Sequence, residues 1–240
     1  MKVEVWSDIM CPFCYIGKRR FEAALEQFPQ KDKVEVVYRS FQLDPNAERF
    51  PQQDTYEMVA KKYGLSRERA QAMHDNLVQQ AKSVGLDFRF ENAIPANSLD
   101  AHRLIHYAGT LGKREAVVEL MFKAYFTNGT HIGKIEQLAD VAAEAGIDRE
   151  AVLAVLRSDK FADEVRAECR EASRLGANGV PYYVIDRKYA VSGAQPSDFF
   201  LGALQQAWDE AHPLVSLNDS EAGDSCGVDG YCAPGEQKPQ

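Results

Sequence analysis

Strand character in this chain lies in two separated places, with a long helical stretch between them. Near the start, Val3, Val5, Trp6 and Ile9 form a short apolar strand that runs into the turn Met10-Cys11-Pro12. Proline suits a helix's first turn, where its missing N–H costs nothing, so a helix is expected there. Behind it Cys14, Lys18, Phe21, Leu25 and Phe28 follow at alternating steps of four and three, one stripe of a helix that Pro29 ends. Residues 34–41 are rich in β-branched and aromatic side chains and read as a second strand. Strand, helix and strand in close succession predict a βαβ unit with parallel strands.

From about residue 54 to residue 177 the periodicity is helical. Helices are expected over 56–63, 66–84, 98–111, 115–127, 135–145, 148–157 and 161–176. Strand character returns at 182–185 and 189–191, spaced for an antiparallel hairpin, and a last helix is expected over 196–211. The order predicts one α/β domain split by a large all-helical insertion. Its parts are residues 1–50, the insertion 51–177, and 178–213. Beyond Pro213 the composition thins to Ser, Asn, Asp, Gly and Pro, so 214–240 reads as a flexible tail.

The chain has 240 residues, 45% of them apolar, which excludes wholesale disorder. Its 28 basic and 36 acidic side chains give a net charge of −8, which argues against a nucleic-acid partner. No stretch approaches the roughly 18 consecutive apolar residues of a membrane span. Glu4, Ser7 and Asp8 interrupt the first residues where a signal peptide needs an apolar run, so a cytoplasmic protein is expected. Five cysteines are too few for a disulfide-stapled scaffold, and in a reducing compartment a close pair is catalytic or metal-binding rather than structural. Oligomeric state is not legible.

Cys11-Pro12-Phe13-Cys14 leaves a strand and opens a helix. Unpaired N–H groups and the positive end of the helix dipole stabilise a thiolate there. Cys11 is therefore expected to attack a substrate disulfide, and Cys14, one turn in, to resolve the mixed disulfide. The other reading of a CxxC, half of a zinc site, stays open. Cys226 and Cys232, among glycines near the end, are either a second redox pair that exchanges with the first or incidental thiols. Their spacing is wider than that of usual zinc knuckles. Cys169 falls on an apolar stripe and is assigned to packing. His102 and His106, four apart, have the spacing of a metal pair but no third ligand nearby, so packing or surface roles are expected and no metal is. The remaining charge reads as solvated helix faces. Asn178-Gly179-Val180-Pro181 is an ordinary strand start or carries a cis Val180–Pro181 bond.

The chain resembles the DsbA-like branch of the thioredoxin superfamily, specifically its FrnE-like protein disulfide oxidoreductases. The carriers are Trp6-Ser7-Asp8, the segment from Cys11 to Gly17, residues 96–103 (ANSLDAHR), Gly179-Val180-Pro181 and residues 191–196 (VSGAQP). The resemblance implies a thioredoxin fold interrupted by a helical domain, Cys11 as nucleophile, Cys14 as resolving thiol and Pro181 as a cis-proline facing them. Val180 is then expected to offer its backbone to a substrate peptide. Expected substrates are protein or small-molecule disulfides and thiols. No bound cofactor is expected, and glutathione or a thioredoxin-type protein would serve as redox partner. Where the DsbA oxidants carry His, this chain has Phe13, which supplies no positive charge, so its couple is expected to be less oxidising than DsbA's, near −120 mV. Two alternatives remain: a glutathione-dependent transferase or isomerase of the kappa-class or hydroxychromene-carboxylate type, whose members carry Ser where this chain has Cys11, and a peptide-holding chaperone using the groove beside Pro181.

Overall fold

The computed structural model describes residues 1–213, together with the backbone of Ser225–Cys226 and Cys232–Ala233. Met1–Ala207 forms one compact unit, and Trp208–Gln240 is grouped as a second. The chain opens with β1 (Lys2–Ser7), α1 (Pro12–Gln27) and β2 (Glu35–Ser40). Seven helices follow: α2 (Thr55–Tyr63), α3 (Arg67–Lys82), α4 (Leu99–Thr110), α5 (Arg114–Phe126), α6 (Ile135–Glu144), α7 (Arg149–Leu156) and α8 (Ala162–Arg174). The strands β3 (Tyr182–Ile185) and β4 (Tyr189–Ser192) and the helix α9 (Ser197–Ala211) complete the series. Among the described residues this is the expected α/β order with helices inserted between two strand pairs.

The four strands form one mixed sheet in the order β2-β1-β3-β4. β1 runs parallel to β2 and antiparallel to β3, with Val5 opposite Tyr183 and Trp6 opposite Tyr182. Residues at even spacing share a sheet face. One face carries Trp6, Tyr182 and Val184, packed with Ala172 of α8 and Ala177. On the other face Tyr183 packs against Phe21 of α1 and Phe200 of α9, with ring centroids 5.3 and 4.6 Å away. A separate aromatic group joins α1 to α5, where Tyr15 stacks on Phe122 at 4.9 Å.

Several charges are buried between elements rather than solvated, contrary to expectation. Lys18 lies on the α1 stripe with Cys14 and Phe21, yet its ammonium is enclosed and paired with Glu22 and with Glu119 of α5. Glu4, on the inner strand β1, accepts from Arg39 at 2.7 Å and is paired with Arg187. Glu168 of α8 accepts from Arg39 at 2.9 Å and from the Ser40 backbone N–H at 2.6 Å, and lies 3.0 Å from His106 Nε2. Burial would raise the Glu168 carboxyl, but these partners, His106 foremost, outweigh it and pull the group down to about 2. Charges are tolerated inside a protein when paired in this way.

The expected tail, 214–240, lies outside the described residues apart from two short strands. There Cys226 stands directly opposite Cys232 in an antiparallel pair. No helix among the described residues is long and apolar enough to cross a membrane.

Candidate active site

β1 ends at Ser7, and its chain turns through Asp8 into α1. The Asp8 carbonyl accepts the Cys11 N–H at 3.0 Å, and the Cys11 carbonyl accepts the Cys14 N–H at 3.0 Å. Cys11 is the N-cap residue of α1 and Pro12 its first helical residue. The first-turn N–H groups that an α-helix leaves unpaired, and the positive end of its dipole, therefore lie at Cys11. Asp8 is fully enclosed and holds the turn against β2's continuation: one carboxylate oxygen accepts the Leu43 N–H at 2.8 Å, the other the Met10 N–H at 3.3 Å.

The second half of the site comes from the far end of the compact unit. The Val180–Pro181 peptide bond is cis. Cys11 Sγ lies 3.4 Å from the Val180 carbonyl oxygen, to which the thiol donates. The Pro181 carbonyl accepts the Gly193 N–H at 2.8 Å, and Arg20 of α1 donates to the Ala194 carbonyl at 2.6 Å, which ties this loop to the helix carrying the cysteines.

Gly17 permits the close approach. A Cβ at that position would stand 2.9 Å from Tyr183 Oη and 3.0 Å from Pro181 Cγ. Neither atom can yield cheaply, because Tyr183 is fully buried and Pro181 is a rigid ring. Gly17→Ala is expected to destabilise the protein by about 1–3 kcal/mol, the usual cost of overpacking. Denaturant unfolding of wild type and variant measures the loss.

Both cysteines are reduced and nearly enclosed, Cys11 4% and Cys14 2% exposed. The two differ little in exposed area, but they differ in access. Cys11 lines a cleft of about 1090 Å³ and Cys14 does not. Phe13 stands at that cleft 43% exposed, with Pro12 beside it and Gly179 and Val180 facing them. Met58 of α2 and Met73 of α3 form part of the wall, and Phe90, Tyr125 and Phe126 also line it. Burial, then the hydrogen bond and charge of Cys11, push the Cys14 thiol well above the ordinary thiol range. The Ser7 hydroxyl lies near enough to pull the other way, although it has no well-formed hydrogen bond. Burial thus keeps Cys14 protonated, and ionisation of Cys11 opposes its loss of a proton further, as like charges in low dielectric do.

Cys11, Pro12, Phe13, Cys14, Val180 and Pro181 are brought together in one place. Cys226 and Cys232 have only their backbone described, and Cys169 is half-buried, its Sγ 3.7 Å from the Ser40 carbonyl. His102 and His106 are both buried, so neither takes a surface role; His106 is paired with Glu168, and His102 lies behind Asp8. Among the described residues no three His, Cys, Asp or Glu side chains cluster as metal ligands. Reading the sequence by residue type passed over Gly17, Asp8 and Tyr183; Asp8 and Gly17 stand inside segments that carry the family resemblance, which was the signal available for them.

The model of the DSBA-like thioredoxin domain matches residues 2–205. Among curated proteins, the uncharacterized protein YwbO of Bacillus subtilis (strain 168) is 28% identical over 205 residues, covering 84% of this chain and 94% of that one. Among solved structures, a protein named a probable DsbA oxidoreductase of Streptomyces coelicolor is 48% identical, with a TM-score of 0.85 over 97% of this chain and 98% of that one. The cytosolic disulfide reductase DsbM of Pseudomonas aeruginosa shares the fold at 17% identity, with a TM-score of 0.61 over 88% of this chain and 100% of that one. With the family model spanning the cysteine turn, both strand pairs of the sheet and the helices inserted between them, the chain belongs to the DSBA-like thioredoxin domain family.

Proposed function

We propose that the protein exchanges disulfides through the Cys11–Cys14 dithiol, with Cys11 as nucleophile and Cys14 as resolving thiol. One observation carries this reading: a helix-capping cysteine at the edge of a deep cleft, its sulfur 3.4 Å from the carbonyl before a cis-proline, with a second thiol shut beneath it. Cys11 attacks a substrate disulfide and forms a mixed disulfide, releasing one substrate thiol. Cys14 then attacks Cys11 Sγ, closes the protein's own disulfide and releases the second thiol. The oxidised pair is reduced again by glutathione or a thioredoxin-type protein, without a bound cofactor. Val180 beside the cleft offers backbone to an extended peptide, and Phe13, Met58 and Met73 offer apolar contact to its side chains. The 48% identical relative named as an oxidoreductase supports the same chemistry. The presence of both thiols favours exchange over glutathione transfer or isomerisation, which need no resolving cysteine. A cytoplasmic setting fits the likeness in fold to DsbM, named as cytosolic.

The test is to trap the intermediate. Cys14→Ser protein mixed with a disulfide-bonded polypeptide should accumulate a covalent adduct at Cys11 that dithiothreitol removes, seen as a mass gain. Finding no adduct in excess substrate contradicts the reading.

The tail cysteines belong to the same proposal as a second redox pair, supported by the cross-strand register of Cys226 and Cys232. Replacing both by Ser should change the rate at which the Cys11–Cys14 disulfide is reduced by glutathione. An unchanged rate and an unchanged potential refute that role.

A further inference from the structure

Behind the Cys11–Cys14 turn lies a small void of about 10 Å³, close to the space one water needs. Ser7 at the end of β1, Tyr38 and Arg39 of β2, and His102 of α4 line it. Ser7 Oγ and His102 Nε2 are buried there without a hydrogen-bond partner. Ile9, Ile105 and Val118 make the rest of the wall apolar, so a water held there has the Ser7 hydroxyl and His102 Nε2 as its partners, two groups of a kind seldom left unpaired. Each leads towards something. The Ser7 hydroxyl faces Cys14. His102 Nε2 lies 3.4 Å from the carboxylate of Asp8, itself enclosed. That contact is too poor for a hydrogen bond as it stands, and becomes a charge-paired one when the nitrogen takes up a proton.

Of the other groups around this place, Arg39 and His106 are committed, while the Tyr183 hydroxyl is itself buried without a partner. Arg39 is held by Glu4 and Glu168 at 2.7 and 2.9 Å. His106, one turn beyond His102, is paired with Glu168. Tyr38 and Tyr183, the latter on the β3 side of the cysteines, are buried phenols kept neutral. Cys11 is the group being resolved.

The geometry points to His102, backed by Asp8, as the proton acceptor for Cys14 in the resolving step, reached through Ser7 and a water of the void. This inference rests on the reading of Cys11–Cys14 as an exchange pair. The Cys14 S–H bond breaks and its proton passes by way of the Ser7 hydroxyl to His102 Nε2, giving an imidazolium beside the Asp8 carboxylate. The Cys14 thiolate forms the bond to Cys11 Sγ. The bond between Cys11 and the substrate sulfur breaks, and its electron pair leaves with the substrate as thiolate. That thiolate takes a proton from solvent, His102 gives its proton back, and the charges close. His102 acts through Ser7, so it is a positioning and relay residue rather than one that touches the reacting sulfurs.

The two half-reactions separate the possibilities. The test compares wild type, His102→Gln and Ser7→Ala against a disulfide substrate with a chromophoric leaving thiol at each end. In a Cys14→Ser background the first step is read alone; with Cys14 present, release of the second thiol reads the resolving step. The expected result is a first step within twofold of wild type and a resolving step slowed at least tenfold in both variants, recovering as pH is raised towards 9. Should His102→Gln fail to fold, Ser7→Ala decides alone. A resolving step unchanged in the folded variants overturns the relay while leaving exchange intact, and so does equal slowing of both steps. Failure of the wild type to release either thiol overturns the exchange reading and this inference with it.

Discussion

Cys11→Ser is expected to lower disulfide reduction by roughly 10³-fold or more, because among the described residues it removes the one thiol that lines the cleft. A serine hydroxyl at the same N-cap receives the same helix end but is far less nucleophilic. Stability should hardly change, since Ser is a good N-cap and the Cys11 thiol makes only weak sulfur hydrogen bonds, to the Val180 carbonyl and with Cys14. Cys14→Ser should differ in kind: the first thiol is still released, then turnover stops at the mixed disulfide. Insulin reduction followed by turbidity, with circular dichroism as the folding control, measures the first variant. Full retention of turnover in Cys11→Ser would move the chemistry elsewhere.

Glu168→Ala is expected to have the largest effect on stability. This carboxylate ties α8 to the sheet and to α4 at once, through Arg39, the Ser40 N–H and His106. Removing one partner of a buried charge network costs about 3–5 kcal/mol, because the others stay buried and unpaired. Chemical denaturation measures the loss. The same group makes the protein acid-sensitive. Its folded-state pKa, about 2, lies below the unfolded value of an ordinary glutamate. The stabilisation is therefore complete above pH ~4.5, and on the order of 3 kcal/mol is lost as pH falls from there towards 2. Glu4 and Glu119, also held low once burial is outweighed by arginine for Glu4 and by Lys18, Tyr15 and Arg19 for Glu119, add to the trend. Glu168→Gln should flatten the pH dependence in that window, and an unchanged slope would assign the acid response to other carboxylates.

The elements themselves were legible because their signals are local. Periodicity, prolines and capping residues placed each helix to within about two residues, and the β-branched and aromatic runs placed the strands. The cysteine turn was legible for the same reason: strand, Cys-Pro-Phe-Cys and helix are consecutive. What spacing alone could not show is long in sequence and short in space. Val180 lies 169 positions from the thiol it faces, and only the resemblance to a known family linked them. Lys18 sits on an apolar stripe, and its partner Glu119 belongs to another helix. His102 and His106 share a helix face as expected, but the carboxylates that give them different surroundings, Asp8 and Glu168, come from the β1–α1 turn and from α8. Read singly, Glu4, Arg39 and Glu168 look like surface charges; pairing across three elements is what makes their burial possible. Gly17 carries no signal of its own, since nothing in its helix explains why a side chain is forbidden.

The central claim is that Cys11 and Cys14 form one two-electron redox couple, and the most direct measurement is its reduction potential. The protein is equilibrated in glutathione buffers of graded potential, quenched with an alkylating agent, and the peptide holding both cysteines is assayed by mass. A single two-electron transition with a midpoint more negative than DsbA's, near −120 mV, is the predicted result, because Phe13 places no positive charge beside Cys11. The absence of any reversible transition in that peptide, or a midpoint at or above that of DsbA, contradicts the account.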